Sequence, residues 1–461
     1  MAGRSCTTTP RLIRASLALA AAAGAWGCGG GDDGALALLG ATIIDGTGGP
    51  VLVDGGILVR HGRIEAIGSR ERLLVPKGVE EIDLSGRFII PGLVDAHTTY
   101  QPWAAERYLE FGVTSLRDLH GERDPSLARM KESRDSTWTG PRIFSTGSTI
   151  DGPGAPAPAT AAGDERSARQ AVDQLSVGGA AGVSAGPRLE PTLLRGIVDE
   201  AGTFGLPVAA HLGVTDALRA VRFGVRSLEH LSGITEALAS NAAQIIAAHR
   251  QDETAGWTLA ERAWAGLDSA AIARVARQIA EARTALVPTL VLHETLSRLD
   301  DSTVYRNPAL RLVPEEVRRA WDLPNLVRQA GWTSGDFQAF RNARPRQDLF
   351  LREYVKAGGI VVAGSGSPRE LLVPGASLQH ELELLVQAGL SPSQALVAAT
   401  RDAARLIGAD SVGTLAVGKS ADLVVLGANP LQDIKNTRRI ERVMVRGRFA
   451  AGAEPTAAAG Q

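Results

Sequence analysis

The sequence contains very little cysteine. Its 461 residues include only Cys6 and Cys28, both near the N-terminus. The rest of the chain therefore has no thiol with which to form a disulfide framework or a cysteine-ligated metal centre.

The chain also lacks a marked excess of positive or negative charge. The formal net charge is −1 at pH 7, so electrostatics favour neither nucleic acid nor an acidic membrane surface as a partner. No nucleic-acid partner is expected.

The N-terminal apolar run, residues 15–25, is too short to span a bilayer. It follows Arg4, Arg11 and Arg14, and a basic segment before a short apolar run is typical of a secretory signal. Residues 1–27 are therefore predicted to be a signal peptide, and the protein is predicted to be exported to the periplasm or cell envelope.

The end of this segment, Ala25-Trp26-Gly27-Cys28, is typical of a bacterial lipoprotein cleavage and lipidation site. Residues 28–34 would then form a flexible tether, and Cys28 would carry a lipid that anchors the protein to a membrane. The alternative is an ordinary secretory signal that is cleaved near Ala25.

Both ends of the remaining chain carry short strands separated by glycine turns. Residues 55–60 and 63–68 flank the turn at His61-Gly62, and residues 415–426 and 440–447 repeat the pattern near the C-terminus. Neither end is long enough to form a core alone. Residues 35–90 and 410–450 are therefore predicted to form one small composite β-sandwich, followed by a disordered tail at 451–461.

Residues 91–409 alternate short apolar runs with helix-length amphipathic segments. This pattern indicates repeated βα units and an α/β fold, a (β/α)₈ TIM barrel. Eight strands are predicted in chain order: 93–97, 112–118, 142–147, 181–185, 205–211, 227–230, 285–293 and 359–367. A polar helical insertion is expected at residues 299–347.

The barrel opens with Pro91-Gly92-Leu93-Val94-Asp95-Ala96-His97-Thr98-Thr99. This stretch resembles the opening strand of the amidohydrolase superfamily, in which Pro-Gly-x-x-Asp-x-His-x-His supplies two metal ligands. The nearest resemblance is to the imidazolonepropionase-like and prolidase-like branch. Four further segments carry it: Gly112 to Asp118, Leu206 to His211, Ser227-Leu228-Glu229-His230 and Val287-Pro288-Thr289-Leu290.

The resemblance implies metal-dependent hydrolysis of carbon–nitrogen bonds, in non-peptide amides or dipeptides. Members typically bind one or two divalent ions through four histidines, a carboxylated lysine and an aspartate. Three of these six positions are filled, by His97, His211 and His230. The other three hold residues that cannot replace the family's ligands: Thr99 for the second histidine, Ser184 for the lysine and Gly366 for the aspartate.

These substitutions remove every carboxylate from the expected ligand set. Two adjacent cations need anionic bridges to offset their repulsion, so a two-metal site is not expected. The site would hold zinc or another divalent ion, at most one and possibly none. Two further histidines, His120 and His293, are predicted at the same face and could contribute, although each could also be a partly exposed loop residue.

No general base is evident. Glu229 and Glu294 are candidates, but strand alternation predicts that each points away from its neighbouring histidine. No catalytic residue is therefore assigned from the sequence.

Two functions remain open. The first is a hydrolase that acts on a small amide or dipeptide-like substrate through a reduced site. The second is a catalytically inactive envelope protein that retains the barrel as a binding or assembly module.

Overall fold

The computed structural model describes residues 34–135 and 137–450. The predicted signal peptide, Cys28 and the tail at 451–461 lie outside these residues, as does the predicted tether except for Gly34. Within the described ranges, no helix combines the length and the apolar character that crossing a membrane requires.

Strands in the described residues fall into one mixed sheet and two parallel sheets. Their bounds are β1 Leu36–Ile43, β2 Leu52–Arg60, β3 Arg63–Ser69, β4 Glu80–Asp83, β5 Phe88–Pro91, β6 Leu93–Thr98, β7 Val113–Asp118, β8 Arg142–Ser145, β9 Ile150–Asp151, β10 Thr160–Ala161, β11 Val183–Ala185, β12 Val208–Ala210, β13 Ser227–Glu229, β14 Ala285–Val287, β15 Leu423–Leu426, β16 Ile440–Val445 and β17 Arg448–Phe449.

Helices follow most of the parallel strands, as βα units require. Their bounds are α1 Ala105–Glu110, α2 Arg123–Glu132, α3 Glu165–Gly178, α4 Pro191–Thr203, α5 Ala217–Phe223, α6 Ile234–Leu238, α7 Ala242–Gln251, α8 Glu253–Ala263, α9 Ser269–Glu281, α10 Leu290–Ser297, α11 Glu315–Ala320, α12 Leu323–Gln329, α13 Ser334–Lys356, α14 Ala376–Gln387, α15 Pro392–Ala398 and α16 Arg401–Leu406.

The parallel strands close into a barrel, as predicted. β6, β7 and β8 pair in parallel, and so do β11, β12, β13 and β14. The Ala181 N–H donates to the Ser145 carbonyl at 2.8 Å and joins the two groups. Residues 361–367 supply the eighth position, through bridges from Leu286 to Val361 and from Thr98 to Ser367. The carboxyl ends of all eight segments meet at one face.

Strands from both ends of the chain form a single hydrogen-bonded sheet in the order β17-β16-β15-β5-β1-β2-β3, with β4 paired to β1. One face buries a core to which both ends contribute, including Leu38 and Ile57 from the first strands and Leu423 and Met444 from the last. The opposite face, with Val424 and Val443, packs into the main core of the barrel.

The predicted seventh and eighth strands differ from the structure. β14 ends at Val287, and after Pro288 the chain turns into α10, so His293 lies in a helix and not at a strand end. Thr289, with φ of +47°, makes this turn. The apolar run at 285–293 fits a strand or a buried helix equally well, and periodicity alone cannot separate the two. The eighth segment is held by isolated bridges and backbone hydrogen bonds to its neighbours and is not a continuous strand. The polar insertion is helical, as predicted, and contains α11, α12 and most of α13.

A buried carboxylate from α14 caps α10. The N-cap residue of α10 is Thr289, and its side chain makes no capping hydrogen bond. Glu381 Oε2 instead accepts the Val291 N–H at 2.8 Å. Burial raises the pKa of Glu381 to about 7, although this hydrogen bond lowers it. Oε1 has no hydrogen-bond partner among the described residues.

Glu381→Gln is expected to stabilise the protein above pH 7. Because the folded-state pKa is raised from 4.5 to about 7, wild-type stability should fall as pH rises between these values and then level off. The amide oxygen can still accept from Val291 but does not ionise. Urea unfolding at pH 5 and pH 8 should show a gain of about 3 kcal/mol at the higher pH and little change at the lower. An equal effect at both pH values would contradict this account.

Candidate metal centre

Four histidines stand at or just beyond the carboxyl ends of barrel strands. His97 is the last but one residue of β6, His120 lies two residues past β7, His211 directly follows β12 and His230 directly follows β13. Because parallel strands in a barrel end at one face, these side chains are brought to the same mouth.

His97 is oriented by a buried carboxylate. Its Nδ1 lies 2.7 Å from Glu229 Oε2, and because a carboxylate only accepts, Nδ1 must carry the proton. Nε2 is therefore the nitrogen that His97 could offer to a metal. A carboxylate that fixes the ring of a metal-binding histidine in this way is a common arrangement around metals.

Glu229 also balances a buried arginine. Its Oε1 accepts from Arg117 at 2.8 Å and from the Ser227 hydroxyl at 2.5 Å. Although burial raises the pKa of Glu229, the Arg117 charge and the contact with His97 outweigh it and lower the pKa to about 2. The carboxylate is thus ionised at any physiological pH.

Glu229 faces inward, against the expectation from strand alternation. The expectation fails because the strand ends at Glu229 and His230 adopts a φ of +59°. This left-handed turn breaks the alternation and lets Glu229 and His230 both face the barrel mouth. A non-glycine residue in this region is uncommon and could not be recognised from the sequence.

His120 approaches His97 from β7. Its Nδ1 lies 3.0 Å from the Thr149 hydroxyl, and its Nε2 lies 3.1 Å from His97 Nε2. Thr149 also contacts Ser184, at the position expected for the family's lysine, at 3.2 Å. Burial and the neighbouring His97 hold the pKa of His120 well below its ordinary value, so the ring is neutral.

His230 completes the group. Its Nδ1 lies 2.7 Å from Thr289 Oγ1, whose own hydroxyl proton is directed to the Pro288 carbonyl at 2.8 Å. Nδ1 is therefore the donor, and Nε2 is left unprotonated. Burial and the neighbouring histidines keep the pKa of His230 well below its ordinary value.

His97, His120 and His230 could together hold a metal ion. One potential ligand atom from each lies within 4.8 Å of the others. His97 Nε2 and His120 Nε2 lie 3.1 Å apart, so without an ion one of them must donate to the other, whereas both could bind a divalent metal in its place. Three neutral histidines with an open fourth position are a common ligand set of catalytic zinc.

His211 lies beside this trio but is not part of it. Its ring centroid is 4.8 Å from that of His230, and its half-buried side chain reaches toward the mouth. Its Nδ1 is 4.0 Å from Glu253 Oε1, at the start of α8. Burial, followed by His249 and His97, lowers the pKa of His211 to about 3.

The three replaced positions supply no anion. Thr99 donates its backbone N–H to the Ser367 carbonyl at 3.1 Å, and Ser184 contacts Thr149. Gly366 has a φ of +72°, and a Cβ there would be 3.7 Å from its nearest neighbour. A side chain would thus have room at this position, but the left-handed backbone favours glycine.

His293 lies in a separate cluster behind the site. Its Nε2 is 2.9 Å from the His230 carbonyl oxygen, and its Nδ1 is 3.2 Å from both oxygens of Glu261. Both ring nitrogens are engaged by these oxygens, so the ring has no free nitrogen for a metal. Burial lowers its pKa, but Glu261 and the carbonyl raise it by more.

Glu294 is also directed away from the trio and pairs with His380 at 2.5 Å, although the segment is helical and strand alternation does not apply to it. The structure therefore favours His120 over His293 as the additional ligand. For both His120 and His293, the sequence signal was a histidine at or just past the end of a predicted barrel strand. The difference between them arises because 285–293 is not a continuous strand.

Comparison with known proteins decides the family. The sequence profile of the amidohydrolase family matches residues 88–450. The chain belongs to this family. The chain is also 48% identical to an imidazolonepropionase from Desulfotalea psychrophila over 62 residues, which are 13% of this chain and 15% of that protein's length. The chain thus matches only a small part of this relative.

Solved amidohydrolase structures share the fold. A Bifidobacterium longum protein assigned as a prolidase aligns with a TM-score of 0.68 and 26% identity, over 92% of this chain and 96% of its own. Bottromycin amidohydrolase aligns with a TM-score of 0.69 and 24% identity, over 90% of this chain and 87% of its own. A Xaa-Pro dipeptidase aligns with a TM-score of 0.64 and 18% identity, over 90% of this chain and 99% of its own. The last two similarities concern the fold alone.

Glu229→Gln is expected to destabilise the protein strongly. The amide would leave Arg117, of which only 8% of the side chain is exposed, without its buried counter-charge. Loss of one partner from such a pair costs about 3–5 kcal/mol. Denaturant unfolding should show this loss, whereas Glu165→Gln, in an exposed helical pair with Arg169, should change little. Equal losses of unfolding free energy in the two variants would show that the buried Glu229 pair stabilises the protein no more than an exposed pair.

Proposed function

We propose that this amidohydrolase hydrolyses carbon–nitrogen bonds with a single divalent ion held by His97, His120 and His230. The observation that carries the proposal is the convergence of these three rings, with ligand atoms within 4.8 Å of one another. In this arrangement His120 takes the place of the histidine that the family has where this chain has Thr99.

The ion, when bound, would lower the pKa of a bound water and polarise the carbonyl of the scissile bond. The protein's own residues prepare the ligands. Glu229 and Thr289 hold Nδ1–H of His97 and His230, so Nε2 is the nitrogen that each ring would offer to the ion. Arg117 keeps Glu229 ionised, and this carboxylate compensates part of the charge that a cation would add.

One ion is proposed because the ligand set contains no anion. A second cation at about 3.5–4 Å would need a bridging carboxylate or carbamate. Thr99, Ser184 and Gly366 offer neither. The Glu229 carboxylate is already engaged with Arg117, Ser227 and His97.

The proposed substrate is a small amide or a dipeptide-like molecule. Support comes from the names of similar proteins, which include a prolidase that was solved with N-methylphosphonate-L-proline. The half-buried His211 and the neighbouring Glu253 provide polar groups at the mouth for such a molecule. Export and lipid anchoring through Cys28 remain part of the proposal, on the sequence pattern alone.

The second candidate is an inactive envelope protein. Gly366 favours it, because the family's aspartate at this position takes the proton from the attacking water. No carboxylate of the described residues replaces it within the histidine trio.

Metal analysis separates these possibilities. The purified protein, incubated with zinc and then desalted, is expected to retain about one equivalent, since three histidines satisfy a mononuclear site. His120→Ala should lose this zinc. His211→Ala should retain it, and His61→Ala, in a distant hairpin turn, is the control for general effects of histidine removal.

Three results would contradict the proposal. Absence of retained zinc in the wild type would favour the inactive protein. If the His211→Ala variant lost zinc and the His120→Ala variant kept it, the ion would be bound by His211, as in the family, and not by His120. Lack of chelator-sensitive turnover on cyclic amides, acyl amino acids and dipeptides would reject the hydrolase.

A further inference from the structure

A metal ligand needs a fixed backbone as well as a fixed ring, and His230 has an unusual backbone. His230 and the next residue, Leu231, have φ of +59° and +54°. Two successive non-glycine residues in the left-handed region persist only where neighbouring groups hold them. Some part of the protein must therefore stabilise this turn.

Three contacts from one segment hold His230. Its N–H donates to the Val287 carbonyl at 2.9 Å. Its ring Nδ1 donates to Thr289 Oγ1 at 2.7 Å. Its carbonyl accepts from His293 Nε2 at 2.9 Å. The end of β14 and the first turn of α10 thus contact the backbone on both sides of the ligand.

His293 is itself held from two other helices. Glu261 on α8 contacts Nδ1 with both carboxylate oxygens at 3.2 Å. Gln347 on α13 donates to Glu261 Oε1 at 2.7 Å. All three side chains are almost completely buried, at 5% exposure or less. A buried side chain that is hydrogen-bonded at both ring nitrogens has little freedom to reorient, so His293 Nε2 stays directed at the His230 carbonyl.

We propose that His293 is a positioning residue: supported by Glu261 and Gln347, it fixes the left-handed turn at His230 and so directs the His230 ring toward His97 and His120. The inference rests on the proposed metal role of His230. It assigns no contact between His293 and either the metal or the substrate.

The chain contains a matched control pair. His380 and Glu294 also form a histidine–glutamate contact, and Glu294 is the residue next to His293. This pair is partly exposed and does not contact His230. A general effect of removing a histidine–glutamate contact should therefore appear when either His293 or His380 is replaced.

The first measurement is zinc affinity, determined by competition with a chromophoric chelator. His293→Leu removes both hydrogen bonds, and a cavity of about 210 Å³ beside His293, Phe340 and Gln347 offers room for repacking. We expect zinc binding to weaken by about tenfold or more, as is usual for the loss of an outer-shell partner. His293→Gln can still donate to the His230 carbonyl and should recover most of the affinity. His380→Leu should match the wild type.

The second measurement is independent of metal. In metal-free protein labelled with ¹⁵N-histidine, His230 is expected to give the signals of one tautomer, protonated on Nδ1. His293→Leu should give mixed tautomers, and His293→Gln should restore the single one. If the wild type bound no zinc, the proposed function would fail, and this measurement would still test the positioning role.

The inference is overturned if His293→Leu, folded as judged by circular dichroism, keeps the wild-type tautomer. Equal losses of zinc affinity in His293→Leu and His380→Leu would also overturn it. So would a His293→Gln variant no better than His293→Leu, because the donor to the carbonyl is the feature on which the inference rests.

Discussion

The Glu229 carboxylate is the interaction on which the rest of the site depends. It is an anion in the interior of the barrel, and it joins β13 to β6 through His97 and to β7 through Arg117. Without it, a guanidinium would be buried without a counter-charge, and the proton on His97 would have no fixed position. One side chain thus stabilises the barrel and prepares a metal ligand.

The same arrangement explains why the site differs from its family's. The family places its anions among the metal ligands, whereas the Glu229 carboxylate of this chain lies behind His97. Each of the three histidines has an oxygen atom within hydrogen-bond distance of Nδ1, so Nε2 is the nitrogen that each could offer to a metal. Such a set suits one cation with an open position and does not suit two.

Much of the fold could be predicted from the sequence, because the barrel is encoded locally. Alternating apolar runs and amphipathic helices indicate the βα units, and glycine turns mark the strands at both ends. The failures occurred where backbone conformation is set by distant residues. The run at 285–293 becomes a helix after Thr289, where Glu381 from α14 caps it. Glu229 faces inward because His230 turns into the left-handed region. Neither effect leaves a local sequence signal, and both change which histidines converge. His97 and His230 were recognised from the motifs, whereas the approach of His120 to His97 required the tertiary structure.

The most direct test of the account is anomalous X-ray scattering from crystals grown with zinc. The account predicts one peak at the barrel mouth, about 2.0–2.1 Å from a ring nitrogen of each of His97, His120 and His230, which is the usual zinc–nitrogen distance. A pair of peaks 3.5–4 Å apart, or a single ion bound by His211 without His120, would contradict it.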